Sequence, residues 1–257
     1  MVGQLNMDKS WTNLILKNFE HASINYNQAA ELQRIFAWRL AEQCIRENIP
    51  KGIWTDLGAG TGLLAEALET LNPNQTVIRV DASQEMLSQN SVGSQTQLWD
   101  LNFGLPKWPQ PPTLIASSFA LHWLHDPRRR IEEWFSALTP GGFLALALPV
   151  KGSFKEWHAA AQATGVHCTA LALPCPKDLT RGLNRANIRY KQLHCYTQKA
   201  SDINSLIKPI IKVGAQASPA ASLSVGEWRK LQKAWPHSPK DKAVSLSWLI
   251  QLLVIQR

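Results

Sequence analysis

The chain has no apolar run approaching the ~18 residues that a bilayer-spanning helix needs. Its longest apolar stretches, Phe143 to Val150 and Leu246 to Ile255, read as buried strands. Met1 to Trp11 lacks the basic-then-apolar order of a secretory leader, so a cytoplasmic protein is expected. Four cysteines, Cys44, Cys168, Cys175 and Cys195, are widely spread and form no CxxC pair. That excludes zinc spacing and a disulfide scaffold and leaves reduced, structural thiols; no metal is expected. There is no internal repeat and no low-complexity tail.

What is present is a basic balance, 27 Lys+Arg against 19 Asp+Glu, giving a net charge of +8. A basic surface attracts nucleic acid, acidic membranes or an acidic protein, and composition alone does not choose among them. Eleven tryptophans are a high count and read mostly as packing residues. The apolar fraction of 45% and the length of 257 residues suit one large domain with a sizeable core.

Periodicity sets the organisation. Residues 12–50 read as an N-terminal helical segment, with Ala29, Leu32, Ile35, Phe36, Leu40 and Cys44 at helical spacing and Pro50 closing it. Residues 51–150 then alternate strands and helices. The expected strands are 53–57, 76–80, 95–99, 113–118 and 143–148, and the expected helices 63–71, 84–89 and 129–138. Such alternation argues for a mostly parallel sheet covered on both faces. Beyond Pro149 a helix is expected over 153–163, capped by Ser153 with Glu156 three residues on. A strand is expected over 188–196, helices over 202–213 and 225–235, and a buried terminal strand over 244–255. The stretches 151–187 and 202–240 read as a lid on the substrate side of a single domain.

The chemistry centres on Asp56-Leu57-Gly58-Ala59-Gly60-Thr61-Gly62, where a strand ends in a glycine-rich turn that opens a helix. Glycines there let the backbone approach a ligand closely. The spacing is GxGxG rather than the GxGxxG that seats a pyrophosphate. Asp81 follows about 20 residues later at the end of strand two, where a carboxylate can accept bonds from ribose hydroxyls; its plainer reading is a helix cap. Trp99-Asp100-Leu101 ends strand three, and Asp100 could equally be a turn residue. Leu138-Thr139-Pro140-Gly141-Gly142 precedes strand five.

In this order the four motifs resemble those of the class I S-adenosylmethionine-dependent methyltransferases. The resemblance implies a doubly wound, seven-stranded, mostly parallel Rossmann-like sheet, with an N-terminal helix and a helical lid after strand five. The implied cofactor is S-adenosyl-L-methionine, held by Gln33, Asp56, Gly58, Ala59, Gly60, Asp81, Ala82, Met86, Asp100, Leu101 and Ser117. Asp100 would lie beside the adenine amino group. A narrower resemblance rests on Phe19-Glu20-His21-Ala22-Ser23-Ile24-Asn25-Tyr26, Ala120-Leu121-His122-Trp123, Gly152-Ser153-Phe154-Lys155-Glu156-Trp157-His158 and Leu231-Gln232-Lys233-Ala234-Trp235-Pro236. These stretches look like the malonyl-[acyl-carrier protein] methyltransferases of biotin synthesis. Thr113 and His122 depart from that pattern, where Asp and Gln are common, and 165–187 matches poorly.

The narrower resemblance implies methylation of the free malonyl carboxylate on an acidic acyl carrier protein. A carboxylate with a pKa near ~4 is already ionised at neutral pH and needs no general base; no catalytic dyad is evident. Tyr26 is the candidate donor at the acceptor. His122, Trp123, Lys155 and Arg181 are substrate-side candidates, and Lys151, Arg185 and Lys212 are further cations for the carboxylate. Arg128, Arg129, Arg130, Arg229, Lys230 and Lys233 could meet the carrier, and a monomer is the default expectation. A small free carboxylic acid of the aconitate kind is the alternative acceptor. A cofactor-binding regulatory protein is the non-enzyme alternative. Nucleic acid is disfavoured because Ser117-Ser118-Phe119-Ala120 stands where amino-methylating enzymes carry [DN]-P-P-[YF].

Overall fold

The structure is a computed structural model describing residues 2–238 and 242–257. Positions 239 and 240, at the end of the second expected lid stretch, therefore lie outside the described residues. The chain opens with α1 (Val2–Ala22), a 3-10 turn at Ser23–Asn25, α2 (Tyr26–Ala29) and α3 (Glu31–Arg46). The single helical segment expected over 12–50 is thus broken at 23–30, and the break brings Tyr26 to the start of a new helix. The alternating core follows: β1 (Trp54–Leu57), α4 (Leu63–Leu71), β2 (Val77–Asp81), α5 (Gln84–Leu87), β3 (Thr96–Leu98), β4 (Leu114–Ser118), α6 (Pro127–Ala137) and β5 (Phe143–Pro149). Then come β6 (Lys151–Phe154), α7 (Lys155–Thr164), β7 (Ile188–Ala200), α8 (Ile203–Lys212), α9 (Val225–Lys233) and β8 (Val244–Gln256).

Seven of the strands form one sheet in the order β3-β2-β1-β4-β5-β8-β7. The first five are parallel, and β8 runs antiparallel between β5 and β7. β5 is buried along its whole length and shows no polar alternation, as a central strand covered on both faces should not. Its side chains divide the core. Phe143, Ala145 and Ala147 join the layer of α3, α4, α7, α8 and α9, while Leu144, Leu146 and Leu148 join Ile131 and Trp134 of α6 on the other face. The alanines let the broad Phe36–Leu40 face of α3 sit close to the sheet.

The expected cap at Ser153 is not formed. α7 begins after Phe154, which adopts φ +59°, and no side chain caps it. Ser153 and Glu156 serve the sheet instead. Ser153 Oγ accepts from the Leu249 amide at 2.8 Å. The buried Glu156 carboxylate accepts from the Ser247 amide at 2.9 Å and the Ser247 hydroxyl at 2.6 Å. A reciprocal capping box does occur on α9, where Ser224 and Glu227 each bond the other's backbone. Of the expected lid stretches, α7 packs on β8 within the core layer and lends Trp157 to the wall of a cavity described below, which residues near 169–173 and 207–217 also border. No described helix is long and apolar enough to cross a membrane.

Candidate functional site

The carboxyl ends of the parallel strands carry the polar groups. β1 runs into Gly58, whose amide, with that of Ala59, donates to Val80 O at 2.8 and 3.0 Å. This pins the turn to β2. Gly58 has φ +71°, and a Cβ there would lie 2.2 Å from Ala120 Cβ, so both the dihedral and the space require glycine. Gly60, at φ +55°, faces open space: a Cβ there would meet nothing within 4 Å. Its amide donates to Asp81 Oδ2 at 2.8 Å, while the Ser83 amide donates to Oδ1 at 2.9 Å. The second turn is thereby fastened to the first. Ser83 caps α5 through the Met86 amide at 3.1 Å. Burial raises the Asp81 carboxyl above its ordinary range, with the amides of Ser83, Gly60 and Ala82 opposing.

Asp56 is 1% exposed. Its Oδ2 accepts from the Ala65 amide at 3.1 Å, and Oδ1 has no partner among the described residues. Burial pushes its pKa up to about 7 against the Arg79 charge. Asp100 caps the turn after β3, accepting from the Asn102 amide at 2.8 Å. The Trp99 amide donates to Asp81 O at 2.8 Å, joining the second and third turns.

Asp56, Gly58, Ala59, Gly60, Asp81, Ala82, Met86, Asp100 and Leu101 all line one cavity of about 1070 Å³, as do Tyr26 and Gln33 from the N-terminal helices. Ser117 does not. Its hydroxyl donates to Leu57 O at 2.7 Å across the strands, and the neighbouring Ser118 reaches the cavity. Sequence reading missed the wall supplied by α1, where Thr12, Ile15, Leu16 and Phe19 follow an i, i+3, i+4, i+7 stripe. That stripe is the signal that could have found it. It also missed the bond from the Thr61 hydroxyl to Asn27 Oδ1 at 2.6 Å, which ties the glycine turn to α2.

A second cavity of about 840 Å³ adjoins the first. Phe19, Tyr26, Gln33, Phe119 and Trp123 line both. Phe119 stands between them with φ +55°, its amide held by Ala147 O at 2.8 Å; strained backbone of this kind collects at functional sites. His122 lines the second cavity alone, its ring 4.9 Å from Trp123 and 6.5 Å from Phe119. Burial lowers its pKa to about 3, so the ring is neutral. Burial, and then the Asp81 charge, raises the Tyr26 phenol well above its ordinary value, so it remains a hydrogen-bond donor. Lys155 and Arg181 line neither cavity. Lys155 is exposed at the start of α7, and exposed Arg181 pairs with Asp178. Among the described residues the second cavity has no Lys, Arg, Asp or Glu on its wall. Of the basic-rim candidates, Arg128 pairs with Glu132 at 3.0 Å and Arg130 with Glu133 at 2.6 Å.

A family described as "Methyltransferase domain" matches residues 55–144, the span from the first glycine turn to β5. The fold is similar to that of a Bacillus subtilis protein, YcgJ (TM-score 0.56, 15% identity, 85% of this chain and 98% of that one). It also matches the plantazolicin methyltransferase BpumL, solved with SAH (TM-score 0.52, 11% identity, 97% and 98%). The open-sided Gly60, the unpaired Asp56 oxygen and the linked carboxylate turns fit a nucleoside carrying an amino-acid tail. The chain is an S-adenosylmethionine-dependent methyltransferase with the class I fold, and S-adenosylmethionine is its cofactor. Within that class it is similar to the malonyl-[acyl-carrier protein] O-methyltransferase of Alcanivorax borkumensis, 25% identical over 98% of this chain and 88% of that protein. It is likewise similar to the enzyme of that name from Dechloromonas aromatica (29%, 78% and 76%). A trans-aconitate 2-methyltransferase of Variovorax paradoxus is 35% identical over a shorter stretch, 37% of each chain.

Proposed function

We propose that the chain methylates the free carboxylate of a malonyl group carried by an acyl carrier protein. The product would be the methyl ester used by the pimeloyl branch of biotin synthesis. The observation that carries this reading is the second cavity. It abuts the cofactor cavity, is walled by aromatic and aliphatic side chains, and among the described residues presents neutral polar groups, Tyr26 and Gln33 among them. The cofactor supplies an activated methyl group on a sulfonium.

The acceptor needs no deprotonation, since a carboxylate with a pKa near ~4 is ionised already. His122, with a pKa of about 3, is too weak a base to help, and none is needed. The residues therefore act by position. Tyr26 stands where the two cavities meet and can donate to one carboxylate oxygen while leaving the other free. Phe19, Phe119 and Trp123 exclude water from the junction. Positioning of this kind supplies roughly 7–11 kcal/mol in well-oriented systems. The resemblance implies a cation for the carboxylate, but the second cavity's described wall carries none. A neutral grip keeps the attacking oxygen more nucleophilic than an ion pair would. A tricarboxylate of the aconitate kind would leave further charges facing apolar walls, which is costly.

The test is methyl transfer to malonyl-, succinyl- and unloaded carrier and to trans-aconitate, read by mass spectrometry. Methylation confined to malonyl-carrier is expected. Methylation of aconitate instead would reassign the acceptor, and an unmodified malonyl-carrier would overturn the reading. Rescue of a biotin-requiring strain tests the physiological role.

A further inference from the structure

A third opening, of about 1000 Å³, lies between α3, β7 and α8. It shares Gln33, Ile210, Val213 and Trp248 with the second cavity, and Gln33 lines all three. Its walls are of a different kind. Gln28, Gln33, Tyr196 and Gln198 give it polar sides, and the charged side chains on its described wall are Lys208, Lys212 and Glu31. Lys208 and Lys212 stand one turn apart on α8, and both are exposed. Among the described residues neither makes an ion pair. Like charges four residues apart on a helix destabilise it by a few tenths of a kcal/mol, so their pairing here is not explained by the helix. From the same helix Ile207, Ile210 and the half-exposed Ile211 line the second cavity.

The three spaces thus run from a basic, amide-lined mouth, through an apolar chamber, to the methyl donor. Such a gradient fits a long flexible ligand with an anion at one end, amides along its length and an acyl group at the other. We propose that the Lys208–Lys212 opening admits the phosphopantetheine arm of the carrier protein, the two lysines gripping its phosphodiester and the glutamine-rich wall its amides. Glu31 opposes the phosphate and sets the arm's approach to the α8 side. This inference rests on the carrier-bound substrate proposed above and adds the route and the anchoring pair.

Calorimetry with 4′-phosphopantetheine and pantetheine tests the site without turnover. The phosphate should tighten binding to the native protein about tenfold or more, as charge-assisted contacts do. That preference should vanish in K208Q/K212Q and survive in K51Q/K107Q, a control that removes two exposed lysines outside the opening. Equal binding of the two compounds, or a preference that persists in K208Q/K212Q, overturns the proposal. In turnover, K208Q/K212Q should raise KM for malonyl-carrier with kcat unchanged, and leave the phosphate-free malonyl-N-acetylcysteamine thioester unaffected. Equal kcat/KM for malonyl-coenzyme A and malonyl-carrier would assign the mouth to the free thioester and overturn the carrier. A phosphate preference without methyl transfer to any malonyl thioester would sink the substrate reading alone. Transfer without a phosphate preference would sink this one alone.

Discussion

The two adjoining cavities are built by opposite means. The cofactor cavity is made of three consecutive strand ends, each turning sharply and each bonded to the next through Gly58, Gly60, Asp81 and Trp99. The second chamber is assembled from α1, the turn after β4, the stretch near residue 170, α8 and β8, and it is held by packing. In the first, position is fixed by hydrogen bonds between neighbours, so single atoms matter. In the second, position is spread over many apolar contacts, so the polar groups that remain set the chemistry.

This contrast can be broken most severely at Gly58. G58A places a methyl group 2.2 Å from Ala120 Cβ at a positive φ. It should abolish measurable cofactor binding and cost about 1–3 kcal/mol of stability, as overpacking does. G58A/A120G should recover part of the melting temperature; no recovery would place the cause in the dihedral alone. Next, D81A removes a carboxylate that holds two backbone amides. Cofactor affinity should fall about a hundredfold, since charged hydrogen bonds are worth roughly 1.5–3 kcal/mol, and circular dichroism should show the fold retained. On the chamber side, Y26F should lower kcat about tenfold, the scale of one hydrogen bond, with cofactor affinity unchanged by calorimetry. Equal loss of both would move Tyr26 out of the acceptor role.

The smallest effects have opposite signs in the two cavities. Asp56 is raised to about 7 in the folded state. The native protein therefore holds its proton longer, and this contribution to stability is lost as pH rises from about 4 to about 7. His122 is lowered to about 3. The unfolded chain takes the proton first, and this contribution is lost as pH falls from about 6.5 to about 3. Denaturant melts across pH should show D56N removing the first trend and H122Q the second, each by about 1 kcal/mol or more. Parallel shifts in both variants would contradict a burial that raises an acid and lowers a base.

The cofactor cavity was largely legible because its signals are local. A strand, a glycine turn and an acidic residue at the next strand end are read within 30 residues. The sheet was legible for the same reason: β5 and β8 are apolar runs, and α4 was placed to the residue. The lining of the chamber was not, because burial there depends on which distant segments meet. Lys155 follows a strand end in sequence yet stays outside, and Lys212 reaches an opening only through the fold of α8. Ser117 and Ser118 cannot be told apart without the strand's twist. The Ser153–Glu156 spacing reads as a helix cap because the same geometry of donor and acceptor serves a sheet equally well.

That last pair has a structural consequence. β5 stops at Pro149, which cannot donate, while β8 continues past it to Val244. The overhanging amides of Ser247 and Leu249 are met by the side chains of Glu156 and Ser153 rather than by another strand. The sheet is splinted there instead of extended. The splint lies beside Trp248, which packs on Phe154 at 4.5 Å and lines the second cavity with Pro149 and Trp157. One wall of the second cavity is therefore closed where two side chains have taken over bonds that a longer β-ladder would make.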